Sequence, residues 1–238
     1  MYNSIKEKID LLNEKINNAC HRSGRNIDDV KIMGVSKFQN ASMVRDALNG
    51  GLDLFGESRV QEAVKKFNEK ELDLFWDLHK KGEVNLHFIG NLQRNKAKTA
   101  ASFFDCIQSL DRDSLIEELG NITSGRKEPL MVLFEYNSGD EKKAGYKTRN
   151  DLYNAAEKVL QYPGLALKGL MTLAPYTDDK NIIRKSFREL YSVREELIKR
   201  FSIKLDTLSM GMTGDFEIAI EEGSTIIRIG SFIFGERA

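Results

Sequence analysis

The chain has 238 residues, with 36 lysines and arginines against 36 aspartates and glutamates. That length suits one large α/β domain, and the even charge gives no electrostatic reason to expect nucleic acid or an anionic membrane as partner. Its two cysteines, Cys20 and Cys106, form no Cys-x-x-Cys pair and have no histidine at metal-ligand spacing, which excludes a disulfide framework and a zinc-finger type of site and suits a reducing cytoplasm.

Ile5, Ile9, Leu12, Ile16 and Ala19 recur at helical spacing, Ser4 and Glu7 have capping-box spacing, and Gly24 is a stop. The chain therefore opens with an amphipathic helix within residues 1–24. Charges at Lys6, Glu7, Lys8, Asp10, Glu14 and Lys15 rule out a signal-peptide core there, and no apolar run reaches the length of a membrane span. Strands are then expected at residues 30–37, 52–56, 86–90, 104–109, 130–136, 165–173, 207–211 and 225–230. Helices are expected between them at 42–49, 59–67 with a charged extension to 81, 93–102, 114–120, 149–160, 181–200 and 215–222.

Strict alternation of strand and helix implies parallel pairing. Eight such units predict a (β/α)8 TIM barrel with an additional N-terminal helix packed on it, in a single domain over 1–238. A doubly wound open sheet is the alternative, but no Gly-x-Gly-x-x-Gly follows the first strand. In a barrel, the loops after the strands build the site. The stretch 137–148, polar and with two glycines, is a candidate lid or an ordinary surface loop.

Period two puts Met33, Val35 and Lys37 on one face of the first strand. Desolvation at the end of an apolar strand favours a neutral amine, the form that condenses with an aldehyde. The plainer reading is a lysine reaching solvent. Arg228, between isoleucines on the last strand, needs a partner, either a ligand or an acid such as Glu57. Gly230 shares its face and lets backbone amides approach an anion. Ser209, Gly211 and Thr213 offer hydroxyls and amides after strand seven. His87 reads as a satisfied core histidine, and no metal site can be assembled.

Val35-Ser36-Lys37, Phe55-Gly56-Glu57, His87-Phe88-Ile89-Gly90, Gly169-Leu170-Met171, Leu208-Ser209-Met210-Gly211-Met212 and Gly223-Ser224-Thr225 with Arg228-Ile229-Gly230 occur in this order. Together they resemble the pyridoxal 5′-phosphate (PLP) homeostasis proteins, single-barrel relatives of the N-terminal domain of alanine racemase. The resemblance implies PLP held as an internal aldimine on Lys37, with Arg228 facing the pyridine nitrogen. It places Ser209, Gly230 and Ser231 at the phosphate, with Met210, Gly211, Ser224 and Thr225 as neighbours. Ser58 stands where the family usually has asparagine. It implies no catalytic residue and no metal. The expected partners are PLP itself and PLP-dependent apoenzymes, in a cytoplasmic monomer. An arginine at the ring nitrogen cannot give it a proton's worth of electron sink, and the chain ends after the eighth unit, without the second domain that carries an opposing base in racemases. The expected role is therefore to hold and release PLP. A low-efficiency PLP-dependent amino-acid racemase is the alternative, and a Schiff-base aldolase on sugar phosphates is a more distant one.

Overall fold

The computed structural model describes residues 4–138 and 144–235. Helix α1 (Ile5–Ser23) is closed by a Ser4/Glu7 capping box and by Gly24 at φ 67°, and it buries Ile9, Leu12, Ile16, Ala19 and Cys20. The eight strands are β1 (Lys31–Val35), β2 (Leu54–Glu57), β3 (Asn85–Phe88), β4 (Cys106–Leu110), β5 (Leu130–Glu135), β6 (Leu165–Met171), β7 (Thr207–Ser209) and β8 (Ile226–Ile229). All pair in parallel, in sequence order, and β8 closes on β1. This is the (β/α)8 barrel that the alternation predicts. The helices between strands are α2 (Ala41–Asn49), α3 (Val60–Phe67), α4 (Asp73–Lys80), α5 (Ala97–Phe103), α6 (Asp113–Thr123), α7 (Arg149–Val159), α8 (Lys180–Phe201) and α9 (Phe216–Glu221), with α10 (Ser231–Phe234) after β8. Helix α1 lies against α9, α10 and α2, next to the seam where the barrel closes.

The period-two pattern divides each strand between two cores. Outward residues such as Phe55, Phe88, Phe134, Leu208 and Ile227 join the large core beneath the helices. Inward residues form two small clusters. One holds Met33, Leu54 and Ile226 with Val35 and Ile89, and the other holds Cys106, Leu133 and Met171 with Met131 and Leu173.

Two features depart from the sequence reading. The helix expected to run on from 59 to 81 breaks after Phe67, passes through a 3-10 turn at Lys70–Leu72 and restarts as α4. The break lets Trp76 donate to the Phe67 carbonyl at 2.5 Å and stacks Phe55, Phe67, Phe75 and Trp76 edge to face. β1 also stops at Val35, so that Lys37 lies in the following turn. The proposed lid falls partly on residues 139–143, outside the described residues. Among the described residues no helix is long and apolar enough to cross a membrane.

Candidate functional site

Lys37 lies two residues past the interior Val35, at the rim where the strands end. It is half-buried, and both its neighbours are clamped. The Ser36 amide donates to the Gly56 carbonyl at 3.1 Å, and the Ser36 hydroxyl donates to Glu57 Oε1 at 2.7 Å. Lys66 Nζ donates to the Ser36 carbonyl at 2.6 Å. On the other side, the Phe38 amide donates to Glu62 Oε1 at 2.5 Å, and the Arg59 guanidinium stacks 4.6 Å over its ring. These contacts hold Phe38 at φ 66°, a left-handed conformation that is costly for an aromatic residue.

Arg228 is interior and 4% exposed. Its Nη1 donates to the Ser209 carbonyl at 2.6 Å and to Ser209 Oγ at 2.9 Å, and its Nη2 donates to the Thr172 carbonyl at 2.7 Å. Three of its N–H groups are thus used; a guanidinium has five, and among the described residues the other two have no protein acceptor. No carboxylate pairs with it there either. The ion pair with Glu57 weighed from sequence does not form, because Glu57 faces outward to Lys66 and Ser36. Burial pulls Arg228 down to about 10, against the opposing fields of Asp215 and Glu135. Even so lowered, the group is cationic at neutral pH.

Behind Arg228 runs a chain the sequence reading missed. Ser209 Oγ donates to Gln108 Oε1 at 2.6 Å, and Gln108 Nε2 lies 2.8 Å from His87 Nδ1. Since the Gln108 oxygen already accepts, its amide must donate, which fixes the proton of His87 on Nε2. Burial drives His87 down to about 4, so it is the satisfied, neutral core histidine expected. A polar Gln108 at an inward position of β4, in parity with the apolar Cys106, was the one available signal for this chain.

At the rim, the β1–β8 register of Met33 with Arg228 and Gly34 with Ile229 brings Gly230 level with Val35. A methyl group on Gly230 would have as nearest neighbour the Val35 carbonyl at 3.6 Å, so the glycine leaves open room beside the Lys37 turn. Ser231 Oγ lies 3.4 Å from Thr213 Oγ1. The amides of Ser231 and Phe232 open α10, where among the described residues they have no acceptor. Gly230, Ser231 and Thr213 thus line a cradle of open amides and hydroxyls, groups of the kind that can accept an anion.

The other residues assigned from sequence lie elsewhere. Met210 is buried in the outer core, and Gly211, at φ 97°, gives its carbonyl to the Arg228 amide. Ser209 supports Arg228 from inside the barrel. Ser224 is fully buried and donates to the Met210 carbonyl at 2.7 Å, while Thr225 Oγ1 accepts from the Leu208 amide at 2.9 Å. Both precede β8. Five residues of strand separate Thr225 from Gly230 by about 16 Å, and the structure does not bring Ser224 or Thr225 to the cradle. Thr225 instead lines a cavity of about 900 Å³ at the opposite barrel mouth, with Lys31, Asn85 and Thr207. Its walls include mixed charges such as the Arg188–Glu222 pair at 2.7 Å beside the apolar Leu54, Met131 and Ile226. Ser58 lines a separate cavity of about 500 Å³ with Arg59, Asn91 and Lys96.

The sequence matches the alanine racemase N-terminal domain family over residues 9–238. It is 40% identical over 232 residues to the pyridoxal phosphate homeostasis protein of Aquifex aeolicus, covering 97% of both chains. The chain belongs to the pyridoxal phosphate homeostasis protein family. Its relative of the same name in Escherichia coli K12 is 34% identical, over 99% of this chain and 97% of that one. Among solved structures, the chain is similar to PipY of Synechococcus elongatus, solved with PLP bound. The identity is 30%, the TM-score 0.81, and the match covers 98% of this chain and all (100%) of that one. Alanine racemase from Bacillus anthracis, at 17% identity and a TM-score of 0.64 over 94% of this chain and 56% of that one, shares the fold.

Proposed function

We propose that this protein holds PLP as a Schiff base on Lys37 and gives it up to amines and to apoenzymes that need it. The observation that carries the reading is the full-length likeness, at 30% identity, to a barrel solved with PLP bound. The residues at the Lys37 rim fit such a group. The two unused N–H groups of Arg228 and the open room at Gly230 are what a ring nitrogen and a phosphate require.

PLP, when bound, supplies an aldehyde that a neutral amine captures reversibly. The rest is the work of this chain. The clamped turn from Ser36 to Phe38 presents the Lys37 amine at the rim. Arg228 would hold the ring nitrogen as a donor that is itself cationic and so would supply it no proton, which suits keeping the cofactor over carbanion chemistry. Gly230, the amides of Ser231 and Phe232, and the hydroxyls of Ser231 and Thr213 would hold the phosphate. Ser209, Gln108 and His87 stiffen Arg228 from behind. Two buried free thiols, Cys20 and Cys106, agree with a cytoplasmic protein, and we place it there as a monomer.

The test is the visible spectrum of purified protein mixed with PLP, followed by borohydride reduction and peptide mapping. An imine band with the label on Lys37, lost in Lys37→Ala, is expected. No band, or a label on another lysine, overturns the reading.

A further inference from the structure

Glu135 is the last residue of β5, and period two carries it to the inner face from Met131 and Leu133, which pack inside the barrel. In register it stands beside Met171 of β6, one residue before Thr172, whose carbonyl accepts from Arg228. It is 7% exposed, and among the described residues no donor reaches its carboxyl. The charged groups acting on it are Asp111, just after β4, and Arg228 on β8; β6 offers only the apolar Met171. Asp111 is itself occupied, accepting from Arg112 Nη1 at 2.5 Å and from Asn91 Nδ2 at 3.3 Å. Of these two carboxyls, Asp111 is spent and Glu135 open. Burial, and then the Asp111 charge, push Glu135 up to about 7, against the pull of Arg228. A buried carboxyl held in this way beside a charged neighbour, at the mouth of a site, has the character of an acid/base group.

We propose that Glu135 is the proton acceptor of the barrel mouth, taking the proton that an incoming ammonium must shed before it can displace Lys37 from the cofactor. This rests on the reading that PLP is held on Lys37. The ligand class is a primary amine that is cationic at neutral pH, such as a free amino acid. The ammonium gives one proton to the Glu135 carboxylate, and its freed lone pair forms a bond to the carbon held by Lys37. The C=N double bond to the Lys37 nitrogen breaks as the one to the incoming nitrogen forms; that nitrogen passes its two remaining protons to the Lys37 nitrogen, and Glu135 returns the third. One ammonium is consumed and the Lys37 ammonium is formed, so bonds, protons and electrons balance. Because Glu135 ionises near neutrality, it is present in both forms when exchange occurs.

The experiment loads wild type and Glu135→Gln with PLP and follows loss of the Lys37 absorption band on adding glycine or methoxyamine at pH 7. Glycine is an ammonium there and methoxyamine is not. Glu135→Gln is expected to exchange at least about tenfold more slowly with glycine and at the wild-type rate with methoxyamine. In PLP-free protein, the infrared carboxyl band lost in Glu135→Gln is expected to titrate near neutrality and to move to lower pH in Asp111→Asn. Equal glycine rates, equal slowing with both amines, or a carboxyl ionising in the ordinary range overturns the proposal. A wild type that never forms the Lys37 band overturns the PLP reading, and this assignment with it.

Discussion

Lys66 Nζ lies 2.7 Å from Glu57 Oε1, with the two side chains 4% and 0% exposed, and the same ammonium holds the carbonyl of Ser36. A buried ion pair of this kind contributes little net stability against a well-packed apolar substitute, because desolvation offsets the attraction. Its value here is positional. It fixes the residue before Lys37 from outside the barrel wall, as Glu62 and Arg59 fix the residue after it.

Removing one partner should therefore be costly. Lys66→Met leaves the Glu57 carboxyl buried without a counter-charge, where burial already holds it above the ordinary carboxyl range and its Oε2 has no hydrogen-bond partner. A loss of about 3–5 kcal/mol in urea denaturation is expected. The Glu57→Gln/Lys66→Met double variant should recover a large part of it. If the double variant is no more stable than Lys66→Met, the pair is not what sets the cost.

Gly230 separates folding from binding. Its φ of −108° is not left-handed, and a methyl group there meets nothing closer than 3.6 Å. Gly230→Ala should unfold within about 1 kcal/mol of wild type, yet bind PLP at least about tenfold more weakly, because the methyl occupies the phosphate cradle. Gly90→Ala is the contrast. Its methyl would lie 2.2 Å from the Ser58 carbonyl, so that variant should lose stability outright. PLP titrations and denaturation curves of the two proteins check both statements, and unchanged affinity in Gly230→Ala would remove Gly230 from the site.

The barrel was readable because each strand is a short apolar run with a glycine, proline or polar stop, and each helix has its own 3.6-residue stripe. The break after Phe67 was not, because Glu69, Lys70, Glu71 and Leu72 are good helix formers and the packing of Trp76 on Phe67 that accompanies the break forms only in the folded chain. Lys37 could be placed at the rim from the parity of Met33 and Val35 alone. Ser224 and Thr225 could not be separated from Gly230, since a motif read along the sequence hides the height of the strand between its ends. Glu135 carries no mark in the sequence. What marks it is the company of Asp111 and Arg228, and those meet only when the sheet closes.

His87 gives the fold an acid limit. Burial lowers it to about 4 from an ordinary value of 6.5, so between these values the unfolded chain binds a proton that the folded one refuses. Its contribution is intact above pH 6.5 and lost progressively as pH falls towards 4. The full swing is at most about 3 kcal/mol. Urea midpoints measured from pH 7.5 to 4.5 should fall less steeply in His87→Gln than in wild type. Parallel curves would mean that His87 takes its proton without unfolding.

Glu135 acts in the opposite direction. Its folded value, about 7, stands above its ordinary 4.5, so the folded state retains a proton that the unfolded chain gives up. The stability it contributes is complete below pH 4.5 and disappears as pH rises through 7, again over at most about 3 kcal/mol. Glutamine keeps the shape and the neutral form at every pH. Glu135→Gln in PLP-free protein should therefore match wild type near pH 5 and exceed it by on the order of 2 kcal/mol at pH 8. A constant difference across that range would show that Glu135 ionises alike in both states, and that its surroundings at the mouth do not hold the proton.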